Sequence, residues 1–251
     1  MIDVLFISPS NSQEVYQDLS ASYAAIEPPT WALLLAQAAR AKGYSAAILD
    51  TCAENLSDEE SFLRIEQLNP KIICFVVYGQ NVNAGVVSMS GAVRLSKYLK
   101  TKTKTPISYV GSYVQALPLK ALEEEPSIDF VFTNEGVKAL LNVLSLDEIS
   151  EESLSTIKGI ALRKNNVPQF TPPEAVVANL DEDLPGYAWD LLPYNEKPLD
   201  LYRAHFWHAE FSHEKRTPFA AIYTSLGCNF ACDFCMINIV NRNDNEDGKH
   251  A

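Results

Sequence analysis

The sequence predicts an α/β protein whose first 150 residues form an open, doubly wound (flavodoxin/Rossmann-like) parallel sheet of five strands. Three observations predict it. Short, nearly continuous apolar runs alternate with amphipathic segments along that stretch. The runs lack the every-second-residue polarity of a sheet with one wet face, as strands covered on both sides should. The turns that follow them are built from Gly, Ser, Asn and Pro. Strand–helix alternation then fixes the class, because parallel neighbours need a long crossover, usually a helix, between them.

The apolar runs are residues 4–7, 46–49, 72–77, 107–110 and 130–132. Between the first two, Trp31, Leu34, Leu35 and Ala38 recur at helical spacing, with Pro28 and Pro29 suited to the helix start and Gly43 to its end. Val137, Leu140, Leu141 and Leu144 repeat the pattern after the fifth run. Ligands of such sheets bind beyond the carboxyl ends of the strands. Those ends are Ser8, Pro9 and Ser10; Tyr78, Gly79, Gln80 and Asn81; Gly111, Ser112 and Tyr113; and Asn134, Glu135 and Gly136. The same residue types are also ordinary turn chemistry, so position alone makes them candidates. No Gly-rich dinucleotide fingerprint follows the first strand and no P-loop is present, which argues against NAD and ATP. The acid pair and distant Lys of a phospho-receiver domain are missing as well.

From residue 157 the pattern changes to two short strands, 159–162 and 167–170, joined by Arg163, Lys164, Asn165 and Asn166: a β-hairpin. Residues 172–198 combine prolines with acids around Asp181-Glu182-Asp183-Leu184-Pro185, the composition of a stiff inter-domain crossing. A further strand is expected over 219–224, leading into Ser225-Leu226-Gly227-Cys228 at its carboxyl end, where α/β barrels place their active sites. The boundaries read as 1–150, 151–217 and 218–251.

Thirty-two acidic against twenty basic residues give a net charge of −12, and no basic cluster is interleaved with aromatics, so nucleic acid is excluded as an expected partner. The longest apolar stretches, such as 72–78, fall far short of the roughly 20 residues that span a bilayer. No N-terminal run resembles a secretory signal, and a cytoplasmic location is expected. Of the five cysteines, Cys52 and Cys74 read as small core residues. Cys228, Cys232 and Cys235 are packed together, which in a reducing compartment points to metal.

Cys228-x-x-x-Cys232-x-x-Cys235 places three soft, anionic donors on one short loop, as a compact iron–sulfur cluster requires. Three protein ligands to four irons leave one iron open to a substrate or cofactor. Gly227 allows close backbone approach, and Phe230 and Phe234 are expected to shield the cluster. A structural zinc site is the rival reading; it wants a fourth ligand, and none of His205, His208, His213 or His250 falls at a familiar zinc-finger offset. His205, His208 and His213, with Phe206, Trp207 and Phe211, either line a substrate or cofactor face or simply pack.

With these motifs in place the chain resembles the cobalamin-binding radical SAM enzymes, in which a doubly wound corrinoid-binding domain precedes a radical SAM barrel. The marks are the Glu27-Pro-Pro-Thr-Trp helix start running to Gly43, the Asn134-Glu135-Gly136 turn, Ile157-Lys-Gly-Ile-Ala161, the Leu184-Pro185 linker and the cysteine loop, in that order. Leu226, Val137 and Ser112 stand where the family often has Arg, an acid and Gly. The resemblance implies that Cys228, Cys232 and Cys235 ligate three irons of a 4Fe-4S cluster and S-adenosylmethionine chelates the fourth. Phe234 would flank the adenine. Reductive cleavage to a 5′-deoxyadenosyl radical would then serve methylation or rearrangement of an unactivated carbon in a small-molecule substrate, with electrons from an external donor such as flavodoxin or ferredoxin.

Cobalamin would lie against the strand ends named above: Ser8, Pro9, Ser10, Tyr78, Gly79, Gln80, Asn81, Gly111, Ser112, Tyr113, Asn134, Glu135 and Gly136. The Asp-x-His-x-x-Gly signature that supplies a cobalt-ligating histidine elsewhere is absent, so the corrinoid should lack a histidine ligand from this domain. Residues 218–251 hold only the first strand and cluster loop of a radical SAM (β/α) barrel, where a full barrel takes roughly 250 residues. The chain therefore reads as a truncated product, a partial chain, or the first piece of a split gene whose second polypeptide carries the rest. Two other readings stay open: a corrinoid or small-molecule binding module with a vestigial cluster loop, and a zinc-stabilised interaction domain.

Overall fold

The computed structural model describes residues 1–10, 17–19, 25–78, 82–193, 201–204, 218–228, 230 and 232–237. One seven-stranded sheet organises it, in the order β2-β1-β3-β4-β5-β6-β7. The strands are β1 (Ile2–Ser8), β2 (Ala46–Asp50), β3 (Pro70–Val76), β4 (Ile107–Val110), β5 (Phe130–Phe132), β6 (Ile160–Lys164) and β7 (Val167–Phe170). The first five are mutually parallel, and β6 and β7 are added antiparallel at the β5 edge. The five-stranded sheet expected from sequence is therefore present, but the hairpin is not a separate unit. It widens the same sheet, because Ile160, Ala161 and Leu162 are apolar on both faces and pair with Phe132, Val131 and Phe130.

Strand β1 sits between β2 and β3, which is why Val4, Leu5, Phe6 and Ile7 are all fully buried. Alternate residues divide the core into two layers. Val4, Phe6, Ile72, Cys74, Phe130, Phe132, Ile160 and Leu162 pack under α1 (Thr30–Ala41) and α6 (Val137–Leu144). Leu5, Ile7, Ile73, Phe75, Ile107, Tyr109 and Val131 face the opposite side, which α2 (Asp58–Leu68), α3 (Met89–Lys100), α4 (Ser112–Ala116) and α5 (Pro118–Glu124) cover. Two covered faces are the reason the strands read as continuous apolar runs.

The local signals act as their chemistry predicts. Ser57 caps α2 in a reciprocal box, its hydroxyl accepting from the Glu60 N–H and its own N–H donating to the Glu60 carboxylate at 2.9 Å. The hairpin turns on Asn165 and Asn166, both at positive φ, the geometry whose twist matches the strands it joins. Arg163 on β6 reaches across to the carbonyls of Leu122, Glu125 and Ile128, so the hairpin closes the end of α5. A single-turn helix, α7 (Glu151–Leu154), precedes the hairpin, and a second, α8 (Leu180–Asp183), lies in the proline-rich linker after β7. Among the described residues no helix is long and apolar enough to cross a membrane.

One expected element is corrected. Residues 219–224 do not form a strand. A strand needs a neighbouring backbone, and here the backbone of Ala221 and Tyr223 bonds instead to the side chains of Thr30 and Tyr187.

Candidate functional site at the carboxyl edge of the sheet

The order 2-1-3-4-5 puts the switch in crossover direction between β1 and β3, and the crevice of such a sheet opens beyond the carboxyl ends there. On the β1 side, Thr51 locks the end of the strand: the Ser8 carbonyl accepts from the Thr51 N–H and hydroxyl, both at 3.0 Å, and the Ser10 N–H donates to the Thr51 hydroxyl at 2.8 Å. Pro9 is buried, while Ser8 and Ser10 are half-buried at the rim. On the β3 side, Tyr78 is half-buried, its ring 5.3 Å from that of Trp31, and its hydroxyl accepts from Gln115 Nε2 at 2.6 Å. Gly79, Gln80 and Asn81 lie outside the described residues.

The remaining strand ends are tied into the scaffold. Gly111 passes so close to β3 that a Cβ there would stand 2.3 Å from the Val77 carbonyl oxygen, at a φ of +155°. The buried Ser112 hydroxyl lies against Gly85, and Tyr113 turns to the other face, lining a cavity of about 230 Å³ with Val86, Met89 and Val93. Asn134 is almost fully buried; its Oδ1 accepts from the Gly136 N–H at 3.0 Å and its Nδ2 donates to the Glu174 carbonyl at 3.2 Å. Glu135 accepts the Val177 N–H on its carboxylate at 2.6 Å and Trp31 Nε1–H on its carbonyl at 3.1 Å. The Asn134-Glu135-Gly136 turn thus grips the linker with its side chains, and Gly136 takes a φ of +85° to allow it.

Several residues at this edge were not singled out from sequence. Asp50 closes β2 with a carboxylate 1% exposed, accepting from the Ala53 N–H at 3.1 Å and the Tyr202 hydroxyl at 3.0 Å. Burial pushes its pKa up to about 6. Tyr202 is itself buried, and its neighbour Arg203 exchanges two backbone bonds with Ile26. Glu27, next along, is pushed up to about 7 by desolvation. The one signal in the sequence was an acid ending an apolar run at Asp50; the Tyr202 and Ile26 pairings are too distant along the chain for any local pattern to reveal.

The segment leading to the cysteine loop docks on this same edge. Thr30 donates to the Ala221 carbonyl at 3.2 Å, the Trp31 and Tyr223 rings meet edge-on at 6.0 Å, and the Tyr187 hydroxyl bonds both backbone groups of Tyr223. The chain then turns through Gly227, at φ +82°, into Cys228. None of the three loop cysteines is in a disulfide; Cys228 and Cys232 are exposed and Cys235 is half-buried. The Cys235 N–H donates to the Cys232 carbonyl at 3.0 Å, so these two share one tight turn. Among the described residues no three His, Cys, Asp or Glu side chains are gathered closely enough to hold a metal ion. Phe230 and Phe234, expected to shield a cluster, stand 75% and 84% exposed, with no described element packed over them. His205, His208, His213 and His250, with Phe206, Trp207 and Phe211, lie outside the described residues.

Cys74 is taken out of contention by its position on β3, where burial pushes its thiol up to about 12 and leaves it inert. For a cluster, the donor set fits: three soft sulfur donors outside any disulfide on one short loop, two of them on a single turn. For a corrinoid, the rim offers small hydroxyls and the Trp31–Tyr78 aromatic pair, with no histidine among the described residues.

Known proteins bear the same architecture. No family model matches the chain. It is 28% identical over 216 residues to an uncharacterized methyltransferase of Pyrococcus horikoshii, covering 84% of this chain and 41% of that protein. It is 24% identical to the anaerobic magnesium-protoporphyrin IX monomethyl ester cyclase of Rubrivivax gelatinosus, covering 92% and 38%. Among solved structures, the cobalamin-dependent S-adenosylmethionine radical enzyme OxsB, with aqua-cobalamin and S-adenosylmethionine bound, matches at a TM-score of 0.57 with 14% identity, over 76% of this chain and 24% of OxsB. The radical S-adenosylmethionine methyltransferase TsrM of Kitasatospora setae, with cobalamin and a [4Fe-4S] cluster bound, matches at 0.52 with 14% identity, over 70% and 30%. The chain resembles the cobalamin-dependent radical SAM enzymes in fold. It spans about two fifths of the length of the curated relatives it matches.

Proposed function

We propose that this chain is the N-terminal part of a cobalamin-dependent radical SAM enzyme acting on a small molecule, with methylation or rearrangement of an unactivated carbon as the reaction class. The observation that carries the reading is the docking of residues 221–223 on the carboxyl edge of a 2-1-3-4-5 sheet, five residues before a C-x3-C-x2-C loop. A ligand in the crevice and a group on the loop would then face one another. Likeness to OxsB and TsrM supports the cofactor set of 4Fe-4S cluster, S-adenosylmethionine and cobalamin.

Cys228, Cys232 and Cys235 would hold the cluster, Phe234 would flank the adenine, and Ser8, Ser10, Trp31 and Tyr78 are the residues best placed to receive the corrinoid. Bound together, such cofactors supply a carbon-centred radical and a transferable methyl group. The chain's own contribution is to bind and orient: Thr51 fixes the β1 rim, Gln115 fixes the Tyr78 hydroxyl, and the seam at Thr30 and Tyr187 fixes the approach of the loop. An external electron donor and a polypeptide completing the barrel belong to the same reading.

Anaerobic reconstitution followed by iron, sulfide and cobalt analysis tests it. About four irons per chain with matching sulfide, lost in Cys228→Ala, Cys232→Ala and Cys235→Ala, is the expected result. About one zinc without sulfide, or metal content indifferent to those substitutions, refutes it. The 251-residue chain alone should release no 5′-deoxyadenosine, because a loop this exposed cannot exclude solvent from a bound cofactor.

A further inference from the structure

The Tyr187 phenol does something a packing residue does not. Its oxygen accepts from the Tyr223 N–H at 2.7 Å and donates to the Tyr223 carbonyl at 2.9 Å, so one hydroxyl satisfies both backbone groups of one residue. That is the service a neighbouring strand gives in a sheet, delivered here to a segment that pairs with no strand among the described residues. The base of the clamp is fixed from three directions. Ala188 N–H donates to the Leu33 carbonyl at 3.2 Å, Asp190 pairs with Arg40 at 2.8 Å, and the Tyr187 ring stacks on Trp189 at 5.3 Å. Leu33 and Arg40 belong to α1, the helix whose first residues, Thr30 and Trp31, touch the same segment. A side chain held this firmly transmits its position, because little freedom remains to absorb a shift.

We propose that Tyr187 is a positioning residue that sets the placement of the cysteine loop over the carboxyl edge of the sheet, by fixing the backbone of Tyr223 five residues before Cys228. The inference rests on the reading that the loop carries an iron–sulfur cluster. The linker and the segment before the loop are bonded through this hydroxyl, so its removal should loosen the loop without touching a thiol. Tyr187→Phe keeps the ring and its stacking and takes away both bonds.

The test uses the full chain in two states. In the metal-free protein, hydrogen exchange at the Tyr223 amide should rise about tenfold or more in Tyr187→Phe. Amides of β1 and β3 should keep their wild-type protection, which also shows that the variant is folded. In the anaerobically reconstituted, dithionite-reduced protein, the variant should bind iron as the wild type does but give an electron paramagnetic resonance signal with shifted or broadened g-values. Unchanged exchange at Tyr223, a rise spread equally over β1 and β3, or a signal superimposable on the wild type's overturns the proposal. If the wild type itself takes up no iron, the cluster reading fails on its own, and the exchange rate at Tyr223 still decides whether Tyr187 holds the loop.

Discussion

Replacing Asp50 by Asn should remove a stability loss that the wild type suffers as pH rises. The Asp50 carboxyl is buried at the end of β2, and burial raises its pKa from 3.8 to about 6 despite bonds from the Ala53 N–H and the Tyr202 hydroxyl. Between those two values the folded chain keeps a proton that the unfolded chain has released. Stability therefore falls as pH rises through that window, is flat above about 6, and is fully recovered below 3.8. At 1.36 kcal/mol per pH unit the loss comes to about 3 kcal/mol. Asn is nearly isosteric: its oxygen can still accept from Ala53 N–H, and its amide can donate to the Tyr202 oxygen. Urea unfolding of both chains, followed by tryptophan fluorescence across acid to neutral pH, isolates the effect because every other titrating group is common to the two. The stability of Asp50→Asn minus that of the wild type should grow by about 3 kcal/mol between roughly pH 3.5 and pH 7. Curves that stay parallel across the range refute the argument that this carboxylate is desolvated by the fold.

Two further outcomes follow from side chains that bridge distant segments. Arg163→Met should cost about 2–4 kcal/mol in urea unfolding, since it leaves the Leu122, Glu125 and Ile128 carbonyls without their donor; a loss below about 0.5 kcal/mol contradicts the closing role assigned to the hairpin. Glu27 is likewise raised, to about 7 by desolvation, so its contribution to stability declines as pH climbs from 4.5 through 7. The thermal midpoint of Glu27→Gln should accordingly lose that part of the pH dependence, and identical profiles for the two proteins count against the desolvation of Glu27.

Which features were legible in the sequence follows from the range of the interaction behind each. The five parallel strands were readable because doubly covered strands are apolar throughout, and α1 because Trp31, Leu34, Leu35 and Ala38 share a face. The hairpin was readable from its Asn165-Asn166 turn, but not its joining of the sheet, which depends on Ile160 pairing with Phe132 across 28 residues. Residues 219–224 had the composition of a strand but pair with no strand among the described residues, and composition alone does not report a pairing partner. At the site, the cysteine spacing was fully visible. Asn134 and Glu135 were picked out as strand-end residues; their bonds to Glu174 and Val177 some 40 residues on could not be read from any local pattern. Tyr187, Tyr202 and Asp50 went unremarked because each owes its role to a partner 36 or 152 residues away.

Those distant pairings converge on one short stretch, residues 26–31, and this explains why that stretch has the residues it has. Ile26 bonds to Arg203, Thr30 holds Ala221, and Trp31 contacts Tyr78, Tyr223 and the Glu135 carbonyl together. Pro28 and Pro29 contribute rigidity: with φ fixed at two successive residues, the chain enters α1 at one angle and carries Thr30 and Trp31 to fixed points on the edge. A helix start read from its prolines is thus also the seam between the sheet, the linker and the segment that leads to the cysteines. A disturbance there would reach the β3 rim and the segment before the cysteine loop at once, through Trp31.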